Sequence, residues 1–351
     1  MDEKLLCVIE GFCEYKRHRG LSYKTCESSG KEILNISRLS KKSILCWDKR
    51  ECIKVYYAID KLPINLSSNV QLAGLYGEEL LKKAETLGVK RIKLATVEKY
   101  LRRLKEFFDW LVLNGLAKEN HFSIFKPPKS KEKKCKSRCA YREEHINEIV
   151  KSEVFLSKKN NYHWIIMIAV EMGLRQNEIC QLYKDDIIYK DGLWCIEVTG
   201  KRHDQRVKNV NSERIIPIPK SLLRLGFIHF VEESEQRLFS SLNYYKEDGY
   251  SRKVSKWFSN YKKRWSWGGE YSFHSFRHYF INNLKVSGIE ESITAEIVGH
   301  EYQKETYGRY GKEYSLREKK RVLDKHGSLS LRWLARKALI KRVLFNSKVP
   351  Y

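Results

Sequence analysis

A strongly basic, proline-containing segment near the middle of the chain constrains its fold more than any other feature. Residues 126–142 read KPPKSKEKKCKSRCAYR, with eight basic residues, one acid (Glu132) and almost no apolar side chain to bury. Such a composition is typical of a linker, because it contributes little to a hydrophobic core. The segment therefore predicts two domains, which the length of 351 residues also favours.

The charge balance indicates a polyanionic partner. The chain has 68 Lys and Arg against 43 Asp and Glu, which gives a net charge of +25. Nucleic acid is the commonest such partner, and an anionic membrane surface is less favoured because no single basic amphipathic helix dominates. The plainer alternative is that the basic residues only aid solubility. With no apolar run of membrane-spanning length and no basic signal-peptide start, we expect a cytoplasmic protein.

Cysteine and histidine spacing argues against a metal site or a disulfide framework. Nine cysteines is an odd number, whereas secreted disulfide frameworks are even in count. Cys135 and Cys139 form a lone pair without a second pair at zinc-finger spacing. His274 and His278 have HxxxH spacing, but no Glu stands where a zinc protease needs its general base. We therefore expect reduced thiols, no metal and no cofactor.

The chain before the linker has the pattern of a helical domain. In its longest predicted helix, apolar residues recur at helical spacing: Val97, Leu101, Leu104, Phe108 and Leu111. Thr96 is the predicted N-cap of this helix, and Asn114-Gly115 the predicted end. Two more helices are predicted, at 77–86 and within 40–57.

Basic residues outside that apolar face are candidate DNA contacts. Three lie on the same predicted helix and three in the linker: Lys99, Arg102, Arg103, Lys129, Lys133 and Lys134. Each phosphate that such side chains neutralise releases counterions, so a basic strap strengthens binding. The alternative for the linker is a solvated spacer.

The chain after the linker mixes helices with a small sheet. One helix runs through 164–170 and ends at Gly173, and a second begins near Asn177. Residues 187–198 then read as strand, Asp-Gly turn and strand, and a third strand follows at 214–218. Helices resume from Ser272. The predicted fold class is therefore mainly α with a small antiparallel sheet, an α+β architecture.

Two clusters in this second half have residue types suited to phosphate chemistry. Arg175, in GLRQNE, lies at a turn where backbone N–H groups and a guanidinium can converge, although it could simply pair with Glu178 on the surface. His274 and Arg277, in HSFR, share a helix face at i and i+3. The guanidinium can bind a phosphate oxygen while the imidazole moves a proton. The alternative is an interior histidine with a solvent-facing arginine.

A third and a fourth cluster follow. His300 comes directly after a predicted helix end at Gly299. The run TYGRYGK then offers Tyr310 as a nucleophile. With 21 tyrosines in the chain, any single one is more often a packing residue. Its local rivals are Tyr302, Tyr307 and Tyr314.

In this order, and behind a basic helical domain, these clusters resemble the tyrosine recombinase (phage integrase) family. The resemblance implies catalytic roles for six residues: Arg175, Lys208, His274, Arg277, His300 and Tyr310. It covers residues of about 20–126 and about 143–325. Four segments follow from it: a helical SAM-like core DNA-binding domain at 1–126, a basic linker at 127–142, a catalytic domain at 143–326 and a basic tail at 327–351. Because this tail is longer than the family's C-terminal helix, packing onto a neighbouring protomer, DNA contact and an incidental extension all stay open.

The catalytic lysine has two candidates. The family carries it on a loop upstream of an Arg-x-hydrophobic-Pro strand, which here begins at Arg214 and ends at Pro217. Lys208, in KNVNSERIIP, has the KTxxSxRxVP spacing of one branch of phage integrases. Lys201, after Thr199-Gly200, imitates the GKG version but is displaced by an unusually long loop. Lys208 is preferred.

The function implied by the resemblance is site-specific recombination of double-stranded DNA through a 3′-phosphotyrosine, for integration or excision of a mobile element. The family also implies a homotetramer on two DNA sites, an accessory DNA-bending protein as a further partner, and action at the nucleoid. Two alternatives share some of these features. A type IB topoisomerase has the same chemistry, and a sequence-specific DNA-binding protein on an inactivated scaffold would need no nucleophile.

Overall fold

Two units, each with its own hydrophobic core, make up the chain in the computed structural model. They are Met1–Cys135 and Lys136–Tyr351. The structure describes residues 3–128, 139–156, 161–208, 212–301 and 313–344. The predicted fold class is confirmed, because helices dominate both units and the described strands form one small antiparallel sheet. No helix within those ranges is long and apolar enough to cross a membrane.

The first unit is helical. Its helices are α1 (Glu3–His18), α2 (Tyr23–Ser37), α3 (Lys49–Ala58), α4 (Gly77–Thr86) and α5 (Leu94–Leu113). The apolar face predicted on α5 is buried along its whole length and packs in the core with the rings of Phe12 and Phe122. Burial of this face, rather than helix propensity alone, stabilises α5.

Two helix starts differ from the sequence-based expectation. The predicted N-cap of α5 at Thr96 is wrong, because the Lys93 carbonyl already accepts the Thr96 N–H at 2.7 Å and the helix begins at Leu94. Thr96 therefore lies in the first turn. Within the segment 40–57 the α-helix begins only at Lys49, where the Asp48 side chain caps it. The predicted end of α5 at Asn114-Gly115 is confirmed.

The second unit surrounds a small sheet with helices. Before the sheet come α6 (Glu143–Lys151), α7 (Glu153–Leu156), α8 (Tyr162–Met172) and α9 (Gln176–Cys180). The strands are β1 (Ile187–Lys190), β2 (Leu193–Val198) and β3 (Arg214–Pro217). After them come α10 (Lys220–Leu225), α11 (Phe227–Glu233), α12 (Ser251–Tyr261), α13 (His274–Val286), α14 (Glu291–Val298), α15 (Leu316–His326) and α16 (Leu329–Leu344).

The sheet has the strand order β1-β2-β3 with both pairs antiparallel. Asp191 and Gly192 join β1 to β2, and both have positive φ (51° and 79°), as a type I′ hairpin turn requires. The predicted strand–turn–strand is therefore confirmed. In the second pair, Cys195 lies opposite Pro217 and Val198 opposite Arg214. This register sets Arg214 beside the end of β2, where the long loop toward Lys208 begins.

Two carboxylates attach the start of the C-terminal helix to its own unit. Ser328, just before α16, donates its N–H to Glu171 (2.8 Å), and Ser330, in the first turn of α16, donates its N–H to Glu143 (2.7 Å). Ser221 also donates its hydroxyl to Glu171, which is 1% exposed. Helix α16 continues against α6 and α10, with Leu331 buried. The described part of the tail thus packs within the chain that carries it.

The buried carboxyl of Glu171 makes the stability of this unit depend on pH. Burial raises its pKa to about 7, so the folded chain holds this proton at pH values where the unfolded chain has released it. Stability should therefore fall as pH rises toward neutrality. The free energy of unfolding of Glu171→Gln, relative to that of the wild type, should increase by on the order of 2 kcal/mol as the pH rises from about 5 to about 8. Denaturant unfolding across this range measures the difference, and parallel pH profiles for the two proteins would contradict the assignment.

Candidate active site

A glycine turn between α8 and α9 positions the first predicted arginine. Gly173 ends α8 with φ +65°, and a Cβ atom on it would lie 2.4 Å from the Phe280 ring of α13. No larger residue fits this conformation and this close approach. Two residues later, the Arg175 N–H donates to the Glu178 carboxylate at 3.0 Å. The turn therefore holds Arg175 at the start of α9, next to α13.

Arg277 is buried, and its described hydrogen bonds go to uncharged acceptors. Arg277 lies in α13 and is 1% exposed. Its Nη1 donates to the Gly173 carbonyl (2.8 Å) and its Nη2 to the Val298 carbonyl (2.6 Å). Burial is the largest cause and repulsion from Arg175 the next, and together they lower the pKa of Arg277 to about 9. Arg277 therefore stays charged at neutral pH. Carbonyl partners fix this guanidinium without cancelling its charge.

Glu178 links two arginines beneath the surface of the site. Its Oε1 accepts from Arg175 Nη1 at 2.6 Å, and its Oε2 accepts from Arg214 Nη2 at 3.0 Å. Burial on its own would raise the pKa of Glu178, but Arg214 and then Arg175 outweigh it and hold the pKa below its usual value. Glu178 is therefore an ionised carboxylate with two cationic partners.

His300 lies at the end of α14, beside both predicted arginines. Gly299 ends this helix with φ +68°, and its carbonyl accepts from Arg175 Nη2 at 2.9 Å. The residue is exposed overall, and partial burial is the largest cause that lowers the pKa of its imidazole. The positive charges of Arg277, Arg175, Arg214 and Lys208 add to it, and the pKa falls to about 4. At neutral pH the ring is therefore an uncharged hydrogen-bonding group.

The two candidate lysines differ in their surroundings. Lys208 is exposed, and its charge acts on His300. Ser212, four residues further along the same loop, accepts a hydrogen bond from Arg175 Nη1 at 3.3 Å. Lys201 instead donates to Glu197 at 2.7 Å, and this hydrogen bond raises its pKa. The geometry favours Lys208 as the lysine near the arginines.

His274 and Tyr314 are within the described part of the chain, whereas the other candidate tyrosines are not. His274 is exposed at the first turn of α13, one turn before Arg277, and its ring centroid lies 4.7 Å from that of His278. Tyr310 and its rivals Tyr302 and Tyr307 lie outside the described residues. Tyr314 donates its hydroxyl to Glu290 at 2.8 Å, at the opposite end of α14 from His300. In the part of the chain that the structure describes, no three His, Cys, Asp or Glu side chains could together hold a metal ion.

The predicted DNA contacts on α5 have unequal surroundings. Arg102 is exposed. Arg103 pairs with Glu32 (3.0 Å) and with Glu106, and only 11% of its side chain is exposed. Lys99 also pairs with Glu32, at 2.5 Å, and is about half exposed. Arg102 is thus the most accessible of the three, whereas the linker candidates Lys129, Lys133 and Lys134 lie outside the described ranges.

Sequence reasoning did not assign a role to Arg214, nor did it give Glu178 one beyond pairing with Arg175. The side chain of Arg214 is only 6% exposed, although it begins a strand whose other residues are apolar. A basic residue in such a strand is a signal, because burial requires a partner for its charge. The identity of that partner, 36 positions earlier in the chain, cannot be read from spacing.

A comparison with protein families decides the classification. The model of the phage integrase family matches residues 141–316, just over half of the chain. This chain belongs to the phage integrase family. The match confirms the resemblance first seen in the order of the arginines, histidines and tyrosine.

Individual proteins similar to this chain are also recombinases and integrases. A tyrosine recombinase of Thermosipho africanus (strain TCF52B) is 23% identical over 208 residues, which is 58% of this chain and 67% of the relative. Among solved structures, a lambda integrase tetramer bound to a Holliday junction has a TM-score of 0.53 at 17% identity, over 86% of this chain and 78% of that one. The Tn1549 transposon integrase with a circular intermediate DNA has a TM-score of 0.55 at 16% identity, over 90% of this chain and 97% of that one. These structures share the fold.

The charge around His300 predicts how its pKa responds to substitution. In the free protein the imidazole should titrate near pH 4, and removing a nearby cation should raise its pKa. We expect an increase in Arg175→Gln and a smaller one in Lys208→Gln. Lys201→Gln is the matched control, and we expect no change there. Histidine NMR titrations measure all four proteins, and an equal response to the two lysine substitutions would contradict the placement of Lys208.

Proposed function

We propose that this tyrosine recombinase cuts and rejoins double-stranded DNA at specific sites through a 3′-phosphotyrosine intermediate, for integration or excision of a mobile element. The observation that carries the proposal is the position of Arg175 and Arg277. Both are fixed by carbonyl oxygens of the turns at Gly173 and Gly299, and the positive charge of Arg277 has no acidic partner within ion-pair distance among the described residues. A phosphodiester supplies the missing negative charge.

The chemistry needs little beyond positioning and charge. Arg175 and Arg277 hold the non-bridging oxygens of the scissile phosphate. The Tyr310 oxygen attacks phosphorus as its phenol proton passes to His274. The bond from phosphorus to the 5′ oxygen breaks, and Lys208 protonates that oxygen. The products are a 3′-phosphotyrosine and a free 5′-hydroxyl, and attack by another 5′-hydroxyl reverses the steps without ATP.

His300 has a separate part in this scheme. Its lowered pKa makes it neutral at physiological pH, so it serves as a hydrogen-bond donor to the phosphate and not as a proton store. Proton transfer then falls to His274 and Lys208, which lie outside the buried arginine cluster. A phenol begins near a pKa of about 10, and the surrounding cations favour its ionised form in the transition state.

Assembly on DNA follows from the same proposal. The lambda integrase of similar fold is a tetramer on a Holliday junction, and the Tn1549 integrase holds a circular intermediate of a transposon. We extend both features to this chain as a homotetramer on two DNA sites, with an accessory DNA-bending protein as a further partner. The net charge of +25 suits such a complex, because phosphate neutralisation supplies much of the affinity.

The nucleophile can be tested without knowing the DNA site. The protein is incubated with fragmented genomic DNA of the organism that encodes it, the reaction is stopped with SDS, and covalently attached DNA is sequenced. We expect adducts at one recurrent sequence, and none with Tyr310→Phe. Tyr314→Phe is the matched control and should still form them, because its hydroxyl is bonded to Glu290.

Each contrary outcome of that experiment has one meaning. Adducts at dispersed sequences would indicate a type IB topoisomerase. Salt-sensitive binding without any adduct would indicate a DNA-binding protein on an inactive scaffold. Adducts that survive in Tyr310→Phe would assign the nucleophile to another tyrosine, with Tyr307 the next to test.

The general acid can be tested by changing the leaving group. A DNA site with sulfur in place of the bridging 5′ oxygen releases a thiolate, which needs no proton to depart. Lys208→Ala should cleave ordinary DNA at least about 100-fold more slowly than the wild type and should recover on the sulfur substrate. Arg175→Ala should be slow on both substrates, and Lys201→Ala should resemble the wild type. Recovery of Lys201→Ala in place of Lys208→Ala would reverse the assignment.

A further inference from the structure

The buried side chain of Arg214 contacts three separate parts of the site. Its Nε donates to the Ile297 carbonyl at the end of α14 (2.8 Å), and its Nη1 to the Ser212 carbonyl (2.5 Å). Its Nη2 donates to Glu178 at the start of α9 (3.0 Å). One side chain therefore joins the end of the loop that carries Lys208, the helix before His300 and the helix after Arg175.

Burial keeps Arg214 away from any DNA phosphate. Only 6% of its side chain is exposed. A Cβ atom on Gly299 would lie 2.7 Å from its Nη1, so the turn before His300 packs directly over the guanidinium. Arg214 must therefore act on the reaction through other residues.

Arg214 gives the carboxylate of Glu178 a second cationic partner. The single carboxylate has Arg175 on Oε1 and Arg214 on Oε2. Paired with Arg175 alone, Glu178 would orient that side chain and also cancel its charge. With Arg214 as the second partner, one negative charge is shared by two positive ones.

We propose that Arg214 is a positioning residue that balances the charge of Glu178, so that Glu178 orients Arg175 without cancelling the positive charge offered to the scissile phosphate. The inference rests on the proposed recombinase function and concerns how the same site is kept cationic. With Arg277 included, the site holds three guanidinium groups and one carboxylate, which leaves a balance of +2 for a phosphate that gains negative charge as the nucleophile attacks.

A purely structural role for Arg214 predicts a different result from a charge-balancing role. Two variants distinguish these two roles. Arg214→Gln keeps hydrogen-bond donors for the carbonyls but removes the charge, which leaves Glu178 to neutralise Arg175. Arg214→Gln combined with Glu178→Gln restores the balance of +2 while disturbing more contacts. If Arg214 acts through charge, the double variant is faster than the single one. If Arg214 only ties the elements together, the double variant is equally slow or slower.

The substrate is a DNA fragment that forms covalent adducts with the wild-type protein. Single-turnover cleavage and non-covalent binding are measured separately on it. For Arg214→Gln we expect cleavage about 100-fold slower, as for loss of one transition-state contact, with binding changed by less than about 3-fold. The double variant should recover about 10-fold of that loss, and Arg214→Lys, which keeps the charge, should stay within about 10-fold of the wild type.

The matched control is Lys320→Met. Lys320 is another largely buried cation of this unit; it donates to the Ile218 carbonyl just after β3 (2.7 Å) and pairs with Asp324 (2.9 Å). Its loss should lower the thermal stability and leave cleavage within about 3-fold. Thermal unfolding of every variant shows which proteins are folded, and Arg214→Met replaces Arg214→Gln if the latter is not.

The outcomes for the inference and for the proposed function are distinct. A wild-type protein that forms no adduct would overturn the recombinase proposal itself. A wild type that cleaves, with Arg214→Gln cleaving equally fast, would overturn the role of Arg214 alone. A folded double variant that is no faster than Arg214→Gln would show that the role is structural and would also overturn the inference.

Discussion

The buried carboxylate of Glu178 is the interaction on which the rest of the site depends. A charge removed from water is costly unless partners surround it, and here Arg175 and Arg214 supply them. The pair with Arg175 lies within the start of α9, the pair with Arg214 connects α9 to β3, and Arg214 continues the connection to the end of α14. Elements far apart in the chain are thereby held at one point, and loss of the Glu178 carboxylate would leave both guanidinium charges uncompensated.

Around this point the fold separates charge from proton transfer. Glycines at 173 and 299 let the backbone approach closely enough for carbonyl oxygens to hold Arg175 and Arg277. Partial burial, and after it the charge of the same cations, lowers the pKa of His300 and keeps its ring neutral. His274 and Lys208, to which we assign proton transfer in the proposed mechanism, are both exposed. An anion entering the site meets fixed positive charge that requires little rearrangement.

Local patterns predicted much of this architecture. Helical spacing gave the buried face of α5, and Asp191-Gly192 gave the hairpin, because both depend on neighbours in sequence. The partnership of Glu178 with Arg214 could not be predicted, since it forms only after β3 packs beside α9. The ion pair between Arg103 and Glu32 of α2 could not be predicted for the same reason. Spacing shows which residue types could act, whereas burial and partners decide what each charge does.

The most direct test of this account is a structure of the protein on its DNA site with vanadate in place of the scissile phosphate. Vanadate adopts the five-coordinate geometry of the transition state and joins the attacking and leaving oxygens. We expect vanadate oxygens within hydrogen-bonding distance of Arg175, Arg277 and His300, the Tyr310 oxygen bonded to vanadium, and Arg214 still bonded to Glu178. Vanadate held elsewhere, or contacted by Arg214 while Glu178 pairs only with Arg175, would contradict it.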